Sequence, residues 1–154
     1  MSLEKNKAIV RSLIEVFNKH NVALLDEFIA TDFVDERNTS FETRGLENFK
    51  KFEAMFIKAF PDFHETIGDI IAEGDKVWVY EKVTGTHKGE WNVFGITLPS
   101  TGRKITYAVV GIWRIVDGKV VERKSIRDML DFFGQIGVIE PTEKGKKLFP
   151  QDVK

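Results

Sequence analysis

The fold of this chain is decided by residues 105–128, which read ITYAVVGIWRIVDGKVVERKSIRD. Two runs rich in β-branched and aromatic residues flank Asp117-Gly118, a dipeptide typical of two-residue hairpin turns with positive φ at both positions. Such a turn pairs Val116 with Lys119, and directly opposed residues share a face of the sheet. The register then predicts one common face for the pairs Ile115/Val120, Trp113/Glu122, Gly111/Lys124, Val109/Ile126 and Tyr107/Asp128.

Arginines mark the other predicted face of this hairpin, which carries Arg114, Arg123 and Arg127. Because arginine is seldom fully buried unless paired, we expect this face in water and the first face toward the core. Asp128 would then lie beside Tyr107 on a largely apolar surface, and both are candidate catalytic residues. The alternative is that Asp128 caps a helix beginning near Met129, since aspartate is a favoured N-cap residue, and one residue could serve both roles.

Composition restricts the class of protein. The length suits one domain over residues 1–154, with a core over about 5–137 and a charged tail over 140–154, and 42% hydrophobic residues can fill one core. A net charge of −1 argues against a nucleic-acid partner, and no stretch approaches the roughly 18 apolar residues of a membrane span. With no cysteine and no apolar leader in the N-terminal MSLEKNK, we expect a cytoplasmic protein.

Three helices are predicted before the strands begin. Apolar residues at helical spacing indicate helices from Ser2 to about His20, around Leu24 to Ile29, and from Leu46 to Phe60, where Pro61 ends the third. Residues 31–45 read as irregular structure or a short strand. The predicted fold class is α+β: three N-terminal helices packed on a curved, mainly antiparallel sheet that forms a cone with an internal pocket, then a short C-terminal helix.

A second hairpin is predicted around Gly74-Asp75. Its register predicts that the inner face carries Ala72/Val77, Ile70/Val79, Gly68/Glu81 and Thr66/Val83. The outer face would carry Ile67, Ile71, Trp78 and Tyr80, an apolar patch of the kind that often marks a partner surface.

Several segments resemble the SnoaL-like polyketide cyclases, a family with the cone-shaped fold of nuclear transport factor 2. They are NKAIVRSLIEVFNKHNVALLDEFIATDFVD (6–35), FPDFHETIGDIIAEGDKVWVYEKVTGTHKGE (60–90), TGRKITY (101–107), WRIVDGKVVE (113–122) and RDMLDFFGQIG (127–137). The resemblance implies the cone fold, a homodimer formed through the outer sheet face, and cofactor-independent acid–base catalysis on a hydrophobic carbonyl compound, by aldol-type ring closure or isomerisation.

The resemblance also bears on individual residues. Asp128 falls where these cyclases place their catalytic aspartate. Where they commonly have histidine, this chain has Glu36 and Arg123, and where they often have tryptophan it has Glu81. Because of these departures, a non-catalytic small-molecule-binding protein of the same fold is the alternative function, and an interaction module is a third reading.

Polar and aromatic residues on or near the predicted inner face are candidate substrate-binding residues: Glu81, Lys124, Glu122, Glu36, His87 and Trp113. Glu81 and Lys124 each lie opposite a glycine, which leaves room for an ion pair across the middle strand. The alternative is that one or both of them reach the cavity mouth and stay hydrated. No spacing of histidine and carboxylates indicates a metal site, and no glycine-rich loop indicates a nucleotide, so we expect neither metal nor cofactor.

Overall fold

The computed structural model describes residues 2–38, 41–93 and 95–148. The helices are α1 (Leu3–Asn18), a 3-10 helix (Val22–Glu27), α2 (Leu46–Ala59), α3 (Met129–Ile136) and α4 (Glu143–Leu148). The strands are β1 (Ile29–Arg37), β2 (Phe41–Arg44), β3 (His64–Glu73), β4 (Lys76–Thr86), β5 (Trp91–Val93), β6 (Ile96–Leu98), β7 (Lys104–Val116) and β8 (Lys119–Arg127). Among the described helices, none has the length and apolar character needed to cross a membrane.

Six strands form one mixed sheet in the order β2-β1-β8-β7-β4-β3, and β5 pairs with β6 in a separate small hairpin. Neighbours in the large sheet are antiparallel except β1 and β8, which run parallel. The helices and the curved sheet confirm the predicted α+β class. The sequence indicated at most a short strand over 31–45, where β1 and β2 lie, because the inward positions of β1 include the charged Asp35 and Arg37.

The helices α1 and α2 cover the concave face of the sheet and supply much of the core. The Ser2 hydroxyl caps α1 by accepting a hydrogen bond from the Lys5 amide at 3.2 Å, as its position predicts. The helix α2 ends just before Phe60-Pro61, also as predicted. The side chains that these two helices bury against the sheet include Val10, Leu13, Ile14, Phe17, Phe49 and Phe56.

The last hairpin starts in the predicted register and then leaves it. Asp117 and Gly118 have φ of 50° and 79°, and Val116 pairs with Lys119. Ile115 then pairs with Val120 but Arg114 pairs with Glu122, so Val121 is an extra residue in β8, a β-bulge. Since side chains alternate between faces, one extra residue exchanges the two faces for the remainder of the strand.

The predicted orientation of β8 beyond Val121 is therefore wrong. Arg123 and Ser125 are buried on the concave face. Glu122 and Lys124 lie on the convex face, and Asp128, after the end of the strand, is exposed rather than paired with Tyr107.

A second bulge, at Gly68, changes the register of the hairpin formed by β3 and β4. Ile70 pairs with Val79 as predicted, but Ile67 pairs with Glu81 and Glu65 with Val83. The predicted pairs Gly68/Glu81 and Thr66/Val83 are wrong, and Ile67 packs against the core instead of joining the outer patch. A Cβ on Gly68 would lie 2.9 Å from Cδ1 of Tyr80, so a side chain here would displace that ring.

Gly111 and Gly134 allow a matched test of the packing beneath the sheet. A Cβ on Gly111 would lie 2.9 Å from Nε1 of the buried Trp113, whereas a Cβ on Gly134 in α3 would meet nothing within 4 Å. We expect Gly111→Ala to lower the free energy of unfolding by about 1–3 kcal/mol and Gly134→Ala to raise it by about 0.5–1 kcal/mol. Urea denaturation of both variants measures this, and equal effects would contradict the packing described.

Candidate functional site

A cavity of about 270 Å³ is lined by residues from α2, α3 and four strands. Its wall is mainly aromatic and includes Phe52, Phe56, Trp91, Phe132 and Phe133. Its polar side chains are Arg37, Asn38, Tyr107 and Arg127. The cavity therefore suits a hydrophobic molecule that carries oxygen atoms on one side.

The aromatic wall is held by ring–ring contacts rather than by loops. The Phe132 ring packs edge-on against Tyr107 and Trp91, with centroids 5.1 and 5.4 Å apart. Trp91 also meets Phe56 edge-on at 6.0 Å. Such contacts restrict the rings to a few orientations, so the wall is formed before any ligand binds.

A buried ion network anchors the polar side of the cavity. The Asp35 carboxylate accepts hydrogen bonds from Nε of Arg37 and from Nε and Nη2 of Arg123, the latter two at 2.6 and 2.9 Å. Arg37 donates through Nη2 to Glu53 on α2 at 2.8 Å. Burial acts to raise the pKa of Asp35, but the charges of Arg123 and Arg37 outweigh it and hold this pKa well below its ordinary value.

Aromatic faces complete the surroundings of the two arginines. The Arg37 guanidinium carbon lies 3.9 Å from the Phe52 centroid, and that of Arg123 lies 5.0 and 4.9 Å from those of Phe49 and Trp113. Burial lowers the pKa of Arg37 to about 10 despite the neighbouring Asp35. Arg37 is still charged at neutral pH, and its orientation is fixed from several sides.

Tyr107 and Arg127 are lining residues that stand outside the Asp35 network. Burial raises the pKa of Tyr107 to about 12, so its hydroxyl stays protonated at neutral pH. The Nε of Arg127 is buried and has no hydrogen-bond acceptor among the described residues. Both groups can donate to an oxygen atom of a bound molecule.

Glu81 is buried on the inner face of β4, as predicted, but its predicted ion pair with Lys124 is wrong. Lys124 lies on the convex face, 3.8 Å from Glu36 and 3.5 Å from Glu122. Glu81 has 3% of its surface exposed, and its Oε1 has no hydrogen-bond partner among the described residues. Glu65 faces inward beside it on the neighbouring strand β3.

Asp128 caps α3, which was one of its two predicted roles. Its carboxylate accepts a hydrogen bond from the Asp131 amide at 2.9 Å and does not line the cavity. It lies between Arg127 and Met129, which do line it.

The remaining predicted site residues lie elsewhere. Trp113 is buried in the core below the cavity and is not part of its lining. His87 is fully buried and stacks on Phe60 with centroids 5.0 Å apart, while its Nδ1 lies 3.1 Å from the Thr101 hydroxyl. Burial lowers the pKa of His87.

Sequence reasoning missed Arg37, Arg127 and Glu65 as residues of the concave side. The sequence does hold an indication of their position. Asp35 and Arg37 are two residues apart, and Arg123 and Arg127 are four apart, so each pair lies on one face of its strand, and Asp35 carries the charge opposite to that of the two arginines on β8. No group of three or more histidines and carboxylates among the described residues is arranged to hold a metal ion.

Comparison with known proteins connects this site to a family. The family model of the SnoaL-like polyketide cyclases matches residues 7–136. The chain belongs to this family. Two aklanonic acid methyl ester cyclases are 30% identical to it: DnrD of Streptomyces peucetius over 89% of this chain and 94% of DnrD, and DauD of Streptomyces sp. strain C5 over 92% and 88%.

Solved structures of similar proteins share the architecture of this SnoaL-like protein. AclR of Streptomyces galilaeus is 27% identical with a TM-score of 0.78, covering 90% of this chain and all of AclR (100%). IdmH of Streptomyces antibioticus is 28% identical with a TM-score of 0.72, covering 86% and 98%. A protein from Jannaschia sp. CCS1 shares the fold: it is 21% identical with a TM-score of 0.79, and the match covers 90% of this chain and 95% of that protein.

Asp35 and its neighbour Glu36 test the energetic weight of the buried network. We expect Asp35→Asn to lower the free energy of unfolding by about 3–5 kcal/mol, because it leaves two buried arginines without their shared counter-charge. Glu36→Gln should change it by at most about 1 kcal/mol, since the Glu36–Lys124 pair is partly exposed. Chemical denaturation at pH 7 measures both, and similar losses would contradict the network's role.

Proposed function

We propose that this protein closes a ring in a hydrophobic polyketide-type carbonyl compound by an intramolecular aldol reaction that uses no cofactor. The observation that carries the proposal is an aromatic cavity lined on its polar side by Tyr107 and by Arg127, whose buried Nε has no hydrogen-bond partner among the described residues. Membership of the SnoaL-like cyclases supports this reaction class. Since DnrD and DauD are named for aklanonic acid methyl ester, that ester is the first substrate to test.

An aldol ring closure depends on stabilising negative charge on oxygen. Solvent water at the cavity mouth takes a proton from the carbon beside one carbonyl, which leaves an enolate oxygen. Attack of the enolate carbon on a second carbonyl then forms the ring bond and an alkoxide, which takes up a proton. Donors fixed in advance around such an oxygen are often the largest contribution to catalysis, because they need no reorganisation during the reaction.

Arg127 is suited to bind this oxygen. A buried donor without an acceptor costs about 1–3 kcal/mol, and an enolate oxygen would remove that cost while gaining a charge-assisted hydrogen bond. Tyr107, held protonated by burial, can donate to the carbonyl that becomes the alkoxide. Arg127 therefore serves as the oxyanion-binding group and Tyr107 as the proton donor.

The size of the cavity narrows the range of substrates. Its volume of about 270 Å³ is near the lower end of ligand sites, which span about 300–1,000 Å³. A flat, compact carbonyl compound fits between the aromatic rings with its oxygen atoms toward the arginines.

Asp128 stays a proposed catalytic residue at the rim. Its neighbours Arg127 and Met129 line the cavity, so a change in the side-chain orientation of Asp128 would be enough to reach a ligand there. Its capping bond to Asp131 opposes that change, which is why we assign the removal of the proton to solvent water rather than to Asp128.

Substitution of Arg127 tests the proposed role. We expect Arg127→Met to lower kcat/KM by about 10²–10³ and Tyr107→Phe to lower it by about 10–100-fold, because each removes a donor to the developing oxyanion. Ring closure of aklanonic acid methyl ester, followed by mass spectrometry and absorbance, measures both. The control is Arg114→Met, since Arg114 lies on the convex face and pairs with Glu122.

Three results would change this assignment. An Arg127→Met variant as active as the wild type would reject the oxyanion role. A complete loss of turnover in Asp128→Asn, with Asp131→Asn active, would assign the proton transfer to the rim aspartate. Tight binding of the ester with no conversion by the wild-type protein would favour the non-catalytic binding protein.

The convex face of the sheet supports a homodimer as part of the proposal. Four large apolar side chains are exposed there: Ile71 (62%), Trp78 (44%), Tyr80 (51%) and Ile126 (59%). They lie on neighbouring strands, since Trp78 pairs with Ile71, and Val110 pairs with both Tyr80 and Ile126. Apolar patches of this kind are usually covered by a partner, and a second copy of the chain is the simplest one.

A charge placed in this patch tests the dimer. We expect Tyr80→Glu to convert a dimer into a monomer in light scattering, because it buries an unpaired carboxylate in the interface. Ile96→Glu is the control, since Ile96 is 60% exposed but belongs to the separate β5–β6 hairpin. A wild-type protein that is monomeric at high concentration rejects this interface.

A further inference from the structure

Among the described residues, four carboxyl groups and three guanidinium groups lie on or against the concave face of the sheet: Asp35, Glu53, Glu65 and Glu81 with Arg37, Arg123 and Arg127. Asp35 and Glu53 are within 4 Å of arginine nitrogen atoms. Glu65 and Glu81 form no ion pair with a described lysine, arginine or histidine. The two unpaired carboxyls thus belong to a cluster with one more acidic group than basic groups.

Glu65 and Glu81 are close neighbours on the sheet. Glu65 pairs directly with the buried Val83, and Glu81 is two residues before Val83 on the same strand. Diagonal residues on one face are about 7–8 Å apart, and their Cβ atoms are somewhat closer, within reach of two glutamate side chains. Two ionised carboxylates in this place would repel each other, and Glu81 is buried while Glu65 is half-buried, so the doubly ionised state is unfavourable.

We propose that Glu65 and Glu81 share a single proton at neutral pH, and that this pair keeps the charge behind Arg127 balanced for enolate binding. The second half of the proposal rests on the proposed function. With one proton on the pair, three negative charges face the three arginines, so the cluster is neutral. The pair does not line the cavity, and both glutamates are therefore positioning residues.

The surroundings of the pair are consistent with one retained proton. Burial raises the pKa of Glu65 to about 8, and so do the like charges of Glu81 on β4 and Glu53 on α2. Burial raises the pKa of Glu81 to about 7 against the attraction of Arg123 and Arg127 on β8. Tyr107 on β7 stays uncharged in this range, and α1 contributes the neutral Asn18 amide, which donates to the Glu65 carbonyl oxygen at 2.9 Å.

Loss of the shared proton has a defined consequence for the reaction. The pair then carries two negative charges, and the cluster has one negative charge in excess beside the oxygen that must become an enolate. Like charge disfavours the enolate, so ring closure should slow as pH rises through the upper titration of the pair.

The shared proton can be measured without substrate. In protein labelled with ¹³C at glutamate Cδ, we expect one resonance to titrate near the higher of the values about 7 and about 8. Glu81→Gln should move the Glu65 titration to lower pH, because it removes the neighbouring negative charge. Glu73→Gln, at the exposed end of β3, is the control and should not. Titration of every glutamate near its ordinary value of about 4.3 overturns the proposal.

The pH profile of ring closure tests the link to function. Wild-type kcat should fall above about pH 8, the higher pKa of the pair, and Glu81→Gln and Glu65→Gln should both lose that fall. An unchanged alkaline fall in both variants, with the NMR titration as expected, rejects the link to catalysis. A shared proton in a protein that closes no ring would leave the pair established and reject the proposed function instead.

Discussion

The contact of Asp35 with Arg37 and Arg123 is the interaction on which the concave side of this sheet depends. It joins β1 to β8, the one parallel pair of the sheet, and through Arg37 and Glu53 it ties both strands to α2. An arginine turned toward the core would be costly by itself. With Asp35 between them, the two guanidinium groups are hydrogen-bonded and flanked by aromatic rings, so the bulge that turns Arg123 inward is tolerated.

The two bulges and this network together determine the chemistry that the cavity offers. The extra residue at Val121 brings Arg123, Ser125 and Arg127 to the concave side, and the one at Gly68 brings Glu65 there. Without them the same strands would present Glu122, Lys124 and Asp128 around a cavity with a different charge pattern. Solved structures of similar proteins share the architecture, and in this chain the two bulges decide which charges lie inside it.

Some features of the fold and the site could be predicted because they depend on neighbours in sequence. The Asp117-Gly118 turn, the Ser2 and Asp128 caps and the end of α2 before Pro61 follow from local backbone preferences. The strand register beyond the turn does not follow from local preferences, because no residue next to Val121 indicates a bulge. The site was misplaced for the same reason: Tyr107, before the turn, was put on the correct face, while Asp128, after the bulge, was not.

The sequence by itself determined the α+β class, the hairpin turns and the membership of the SnoaL-like cyclases, because these follow from periodicity, turn chemistry and recognisable segments. The tertiary structure alone decided which charged residues enter the cone. Whether an arginine faces water or the core depends on a counter-charge from a strand about 90 positions away, as Arg123 and Asp35 show with a separation of 88 residues. That balance between the cost of desolvation and the gain from pairing cannot be read from a single strand.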